Sequence, residues 1–381
     1  MAMTGSGSVV DRAQEIVPVL ANGRPFAEEK ARLAPEVLAA CRDAGLFAMA
    51  APREVGGAEA TLAEMFEALA IVAAADPSAA WVALNSQPCA RAAAAMDPAL
   101  WHEVYQPPLG PFGWSASATG RLRQTDGGYI LSGNWPLMTG VLDAEYAAVV
   151  SLLRQGEDRP VARQVIIPTS QLAINQVWQN AVAMRGTGSH EVSAADVFVP
   201  AGMVFDMAPP TRIDRPLYRC PPFGLVGATN AAVPVGILQA AVDSAGSILR
   251  DKVGTIFGQK ASDSTALQEL IAEAWMSLSH LRLGIGSALT AMGELAERRE
   301  EIPVALRATV TGGPFQAAGV ARDLISRLYT RSSRAAFFAG HPLERAMRDI
   351  HAVGYGLETI RALHHDVGRV AMGLDPVTPS F

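Results

Sequence analysis

The chain has 381 residues, half of them hydrophobic and 18% charged, with a formal net charge of −6. That length and apolar content allow two or three domains around a large buried core. The acidic balance and the lack of a dense Lys/Arg cluster interleaved with aromatics speak against a nucleic-acid partner.

Three cysteines, Cys41, Cys89 and Cys220, lie far apart with no CxxC pair. Neither a zinc ribbon nor a disulfide framework is expected; buried thiols in a reducing cytoplasm fit better. The opening "MAMTGSGS" lacks the apolar core of a signal peptide. Residues 223–242 carry no charge over a length that could cross a bilayer. They include Thr229, Asn230, Pro234 and Gln239 and have no flanking positive cluster, so a buried bundle helix is expected rather than a membrane span.

In chain order, residues 9–105 read as helices. Pro35 to Ala44 forms a short amphipathic helix that Gly45 can close. "TLAE" at 61–64 is a capping box, and Asp76-Pro77 repeats the start signal for a helix carrying Trp81, Leu84 and Ala92. From about 110 to 200 the texture turns to strands. Asp126-Gly127-Gly128 reads as a hairpin turn, "EYAAVVSLL" and "ARQVIIP" as strands divided by the polar loop "RQGEDRP", and "SHEVSAADVFVP" as a last strand. Residues 201–222 are proline-rich and read as a linker or surface excursion. Long helices follow from 223 to about 373, with Gly312-Gly313-Pro314 and Gly340-His341-Pro342 as the main expected interruptions. Runs of one element type argue against a doubly wound sheet.

Several motifs fail on inspection. "RGTGSHE" at 185–191 begins like a dinucleotide loop, but Glu191 stands at the third glycine position and a strand follows. A tight turn before a strand is the simpler reading. No GxSxG elbow, Walker loop or HExxH occurs. His364 and His365 invite a metal reading, but on one helix His351 and His365 would stand about 21 Å apart along the axis, too far to share an ion. No metal is expected.

The order helical, β, helical resembles the acyl-CoA dehydrogenase fold family over residues 25 to 375. The phrases that carry it are "AGLFAMAAPREVGGAEATLAEMFEALAIVAAADPSAAWV", "GGYILSGNWPLMTGVLDAEYAAVV", "VAMRGTGSHEVSAADVFVP" and "HPLERAMRDIHAVGYG". The resemblance implies a mostly α protein in three parts: an N-terminal helical domain (1–108), a middle β-barrel or sandwich domain (109–205) and a C-terminal four-helix bundle (206–381). Within the family, "GGYILSGNWPLMTG", "RGTGSHEV" and "PLERAMRDIHA" are more similar to the two-component flavin-dependent monooxygenases. That branch implies reduced FMN or FAD delivered by a partner flavin reductase, O₂, a small organic substrate and a homotetramer. Carried over residue by residue, Trp135, Met138 and Thr139 would lie at the isoalloxazine, with Ser115 and Ser189 at the flavin's polar edge or phosphate. Strand alternation by itself puts Trp135, Leu137 and Thr139 on one face and Asn134 and Met138 on the other.

A flavin monooxygenase needs a dry cavity and a proton donor or base near the reacting atoms, for which histidine suits. An acyl-CoA dehydrogenase needs a desolvated carboxylate instead. In "MRDIHAVGYGLETIR", residues 347–361, a helix over 343–363 would put His351, Tyr355 and Glu358 on one face. Gly354 and Gly356 would then mark a break, or something lying against the backbone. Related monooxygenases often carry a histidine where Gly356 stands, and a second on the helix after the "AWV" phrase, where Asn85 stands near a helix end before Pro88. Dehydrogenases carry a glutamate after a tyrosine, from which Glu358 is displaced. His351 is the leading acid/base candidate, with Asn85 and Glu358 beside it. An FAD-dependent acyl-CoA dehydrogenase-type oxidoreductase and a non-catalytic flavin-fold interaction protein are the alternatives.

Overall fold

The computed structural model describes residues 7–154, 159–253, 260–332, 334–378 and 381. The first six residues of the opening stretch read for a signal, and most of the polar loop "RQGEDRP", lie outside these.

The chain opens with α1 (Val9–Glu15), α2 (Val17–Lys30) and α3 (Pro35–Asp43). Then come α4 (Leu62–Ala75), α5 (Pro77–Ala92) and the single turn α6 (Trp101–Val104). The start signals act as read. Thr61 Oγ1 accepts from the Glu64 amide while the Glu64 carboxylate accepts from the Thr61 amide. Asp76 accepts from the amides of Ser78 and Ala79. Each cap satisfies N-terminal donors that a helix cannot pair internally.

The middle of the chain forms β1 (Gly113–Thr125), β2 (Gly128–Met138), β3 (Tyr146–Leu153), β4 (Val161–Pro168), β5 (Ala173–Asn175), β6 (His190–Pro200) and β7 (Val204–Asp206). They make one seven-stranded sheet in the order β5-β6-β2-β1-β3-β4-β7. The β1–β3 pair is parallel and the other pairs antiparallel. The hairpin between β1 and β2 turns on Asp126-Gly127, with Gly127 at φ +74°, a conformation cheap only for glycine. The reading of 201–222 as a linker or surface excursion misses one strand: Val204–Asp206 pairs with β4 and forms one edge of the sheet.

The rest is helical: α7 (Pro216–Arg219), α8 (Pro222–Asp251), α9 (Thr265–Glu297), α10 (Val304–Ser332), α11 (Pro342–Glu358) and α12 (Arg361–Ala371). Among the described residues α8 is the one helix long and apolar enough to cross a membrane, and 78% of its most apolar window is buried inside the protein. Its exclusion of water is therefore met by packing. The expected interruption at Gly312-Gly313-Pro314 is absent, and α10 runs through it. The turn packs between α8 and α9: a Cβ on Gly313 would meet Ile285 Cγ1 on α9 at 3.5 Å and Ala231 Cβ on α8 at 3.8 Å, ordinary contact distances. The Gly340-His341-Pro342 break does occur, with His341 capping α11. The helix expected over 343–363 ends at Glu358, and Arg361 starts α12 after a two-residue turn.

Two cores result. One joins α1–α5 to the C-terminal bundle; the other joins the sheet to Ala48, Val55, Cys89 and Tyr105 of the first helical part. Helix α5 contributes to both, which puts it at the seam between sheet and bundle.

Candidate active site at the seam of sheet and bundle

The end of β2 and the turn before β6 meet at this seam. Backbone bonds couple Thr139 to Trp114, and the Gly140 amide donates to Thr187 O at 3.0 Å. Three hydroxyls form a chain: Thr139 Oγ1 is 3.0 Å from Ser189 Oγ, which is 2.9 Å from Thr187 Oγ1, which donates to Met184 O at 2.9 Å. Ser115 is the residue after Trp114, the strand partner of Thr139. It is 2% exposed, and its Oγ has no partner among the described residues. Buried polar atoms are nearly always paired, so this lone buried hydroxyl marks a place for a polar ligand. Of the five expected cofactor residues, the structure joins Thr139 and Ser189 directly and places Ser115 one residue from the strand partner of Thr139.

Trp135 and Met138 sit elsewhere. Both are fully buried in the sheet's core. The Trp135 indole donates to Val150 O at 2.9 Å and fills the space left by Gly120 and Gly133, so it presents no free ring face. The expected alternation fails because the β2–β6 register shifts between Trp135 and Met138. This bulge turns both residues inward, and Leu137 is left exposed.

Helix α5 forms the adjoining wall. Val82 lies against Gly140, Ser78 against Gly186, and Ser86 Oγ accepts from the Phe112 amide at 3.1 Å. The expectation that Asn85 sits at a helix end before Pro88 is not met, since α5 continues through Pro88 to Ala92. Three successive side chains feed the carbonyls of the preceding turn. Asn85 Nδ2 donates to Trp81 O, Ser86 Oγ to Val82 O and Gln87 Nε2 to Ala83 O. They tie the turn before Pro88 to the helix, while the carbonyl that the proline leaves without its helical donor is that of Leu84.

The face of α11 expected to carry His351, Tyr355 and Glu358 is real, but it points outward, and all three are exposed. Glu358 pairs with Arg361, whose guanidinium holds the carboxyl below its usual range. An exposed carboxylate so paired is a poor proton acceptor. Gly356 shows which of its two readings holds: the helix does not break there, and the Trp81 indole lies against it. A Cβ on Gly356 would stand 2.8 Å from Trp81 Cη2 and 3.0 Å from Cζ2. A histidine at this position would collide with that ring.

Two residues escaped the sequence reading. His190, at the start of β6, is 1% exposed; its Nδ1 accepts from the Trp178 amide at 3.2 Å. That bond assigns the proton to Nε2, a buried donor without a partner among the described residues. Burial first, and Arg32 second, hold His190 below its ordinary pKa, so it is neutral near pH 7. Its only signal was its place after Ser189. Asp349, two residues before His351, points the opposite way into the protein. It is 3% exposed, and its Oδ1 accepts from the Met184 amide at 2.7 Å.

Residues 228–355 match the family model described as acyl-CoA dehydrogenase, C-terminal domain. The oxygenase subunit HsaA of a flavin-dependent monooxygenase from Rhodococcus jostii is 26% identical, over 90% of this chain and 92% of its own. Among solved structures, XiaF from Streptomyces sp., in complex with FADH2 and glycerol, superposes with a TM-score of 0.89 at 25% identity, covering 98% of this chain and 97% of its own. The HsaA monooxygenase from M. tuberculosis gives 0.88 at 25% identity, covering 98% and 99%. The chain has an acyl-CoA dehydrogenase-like fold, and its C-terminal part matches that family's model. Among proteins of that fold it is most similar to the flavin-dependent monooxygenase branch.

Proposed function

We propose that this chain is the oxygenase component of a two-component flavin-dependent monooxygenase, using reduced FMN or FAD and O₂ on a small organic substrate. The observation that carries the reading is likeness along the whole chain to named monooxygenases, one of them solved with FADH2. The residues present fit such a cofactor. Ser115 Oγ and the His190 Nε2 proton are buried polar groups without partners among the described residues, His190 directly after Ser189 and Ser115 directly after the strand partner of Thr139. Ser115, Thr139 and Ser189 would hold the flavin's polar edge. When bound, the reduced flavin supplies the electrons and the ring that reacts with oxygen.

The protein's part is to bind, orient and keep water out. Val82 and Trp81 of α5 supply an apolar wall, and Asn85 can orient a polar group but cannot accept a proton. His351 would handle protons at the site only where a second copy covers the exposed face of α11. We further propose a homotetramer in the cytoplasm, served by a separate flavin reductase. The exposed Trp275 and Leu283 on α9, with Phe337 and Phe338 before α11, support burial of these faces in an assembly.

The dehydrogenase reading is disfavoured by the pairing of Glu358 with Arg361. Anaerobic titration separates the readings. The proposal expects protein that purifies nearly colourless and binds reduced FMN or FADH2. Protein that purifies yellow and bleaches anaerobically with an acyl-CoA would favour the dehydrogenase. Binding of no flavin in either redox state would overturn both.

A further inference from the structure

The turn that carries Thr187 and Ser189 does not hold itself. Met184, at its start, has φ +49°, a left-handed conformation that costs a non-glycine residue about 1 kcal/mol or more. The Met184 carbonyl accepts from Thr187 Oγ1 and from the Trp178 indole. Its amide is turned the other way, onto Asp349 Oδ1. A continuous line of hydrogen bonds therefore runs from α11 through Asp349, Met184, Thr187 and Ser189 to Thr139. Arg348, next to Asp349, donates to Val182 O in the same segment.

We infer that Asp349 is a positioning residue. It docks the 184–189 turn onto the bundle and thereby sets Ser189 and Thr139 for the flavin. The flavin part of this inference rests on the function proposed above; the docking part does not. Charged groups surround Asp349 from every packed element. Arg345 and Arg348 lie on its own helix, Arg24 and Glu28 on α2, and Asp76 at the start of α5, which interacts with Arg24 and Arg345. Burial outweighs the Met184 hydrogen bond and the arginines, and raises the Asp349 carboxyl to about 7. The docked turn thus favours the neutral acid, whose carbonyl oxygen still accepts from Met184. As pH rises from the ordinary carboxyl value near 3.8 towards about 7, docking must bury a charge and weakens, and above 7 the loss is complete.

The test uses the full-length protein, D349N and D349A. Hydrogen exchange over residues 184–189 reads docking without any cofactor. Anaerobic titration with reduced FMN, and in parallel with FADH2, reads affinity. D349N keeps an acceptor and stays neutral. Its turn should stay protected from pH 4.5 to 8.5, while the wild-type turn loses protection between about 4.5 and 7 and then levels off. The ratio of wild-type to D349N dissociation constants should climb from near one at about pH 4 to a plateau above about pH 7, because the flavin's own titration is common to both and cancels. D349A leaves the Met184 amide unpaired and should weaken flavin binding about tenfold at pH 6. Unchanged exchange at 184–189 in D349A, or a ratio flat in pH, overturns the inference. If D349A does not fold, the D349N series still decides. Wild-type protein that binds neither flavin overturns the functional reading instead, and exchange alone then judges the docking.

Discussion

Ser115 and Gly356 state the site's case in single residues. Removing a buried hydroxyl that lacks a partner costs the fold little, because no hydrogen bond is broken. S115A is therefore expected to melt at the wild-type temperature yet bind reduced FMN several-fold more weakly, as thermal scans and anaerobic titration will check. Gly356 and Trp81 are a matched pair. G356H should destabilise the protein by about 1–3 kcal/mol through overpacking, and W81A in the same chain should recover part of that loss. A double-mutant cycle in urea measures the coupling. Single residues were legible where chemistry is local: the capping box at Thr61 and Glu64 and the turn at Gly127 follow from their own neighbours. Trp135 was not. Its typing as a flavin wall came from resemblance, whereas its indole's partner, Val150 O, lies on a strand whose register the sequence does not declare.

At the level of elements, glycine and proline misled most. Gly312-Gly313-Pro314 and Pro88 read as breaks, yet α10 and α5 pass through them. Local propensity weighs the cost of a glycine or proline, but not the packing around the helix that carries it through. The close approach seen at Gly356 has a counterpart that yields a prediction for α8. A Cβ on Gly227 would stand 2.5 Å from Val310 O and 2.8 Å from Val310 Cγ1 of α10. Backbone cannot move aside as a flexible side chain can, so G227A is expected to lose about 1–3 kcal/mol by urea denaturation. The α11 face was legible as a face, since His351, Tyr355 and Glu358 do align. Its direction was not, because helix periodicity groups residues without saying which group meets the core. Asp349, on the inward side, was passed over for the histidine two residues further on.

For the whole molecule, the order of helices, sheet and helices could be read from texture alone, and the likeness to known structures spans the same length. The seam where α5, α11 and the 184–189 turn meet could not. It joins residues more than a hundred positions apart, such as Met184 and Asp349. That seam also gives the molecule a pH dependence. The folded Asp349 carboxyl lies near 7, above its ordinary 3.8. Its contribution to stability is full below the ordinary value and is lost as pH rises towards 7, where the fold must bury a charge that the unfolded chain exposes to water. Urea midpoints of D349N should exceed the wild type's at pH 8 and converge with them near pH 4.

The central claim is that the chain uses reduced flavin to react with oxygen. Stopped-flow mixing of the anaerobic protein–reduced flavin complex with O₂ tests it most directly. The account predicts reoxidation in distinct phases, with an absorbing species before oxidised flavin appears. Reoxidation in one phase, at the rate of free flavin and unchanged by the protein, would contradict it.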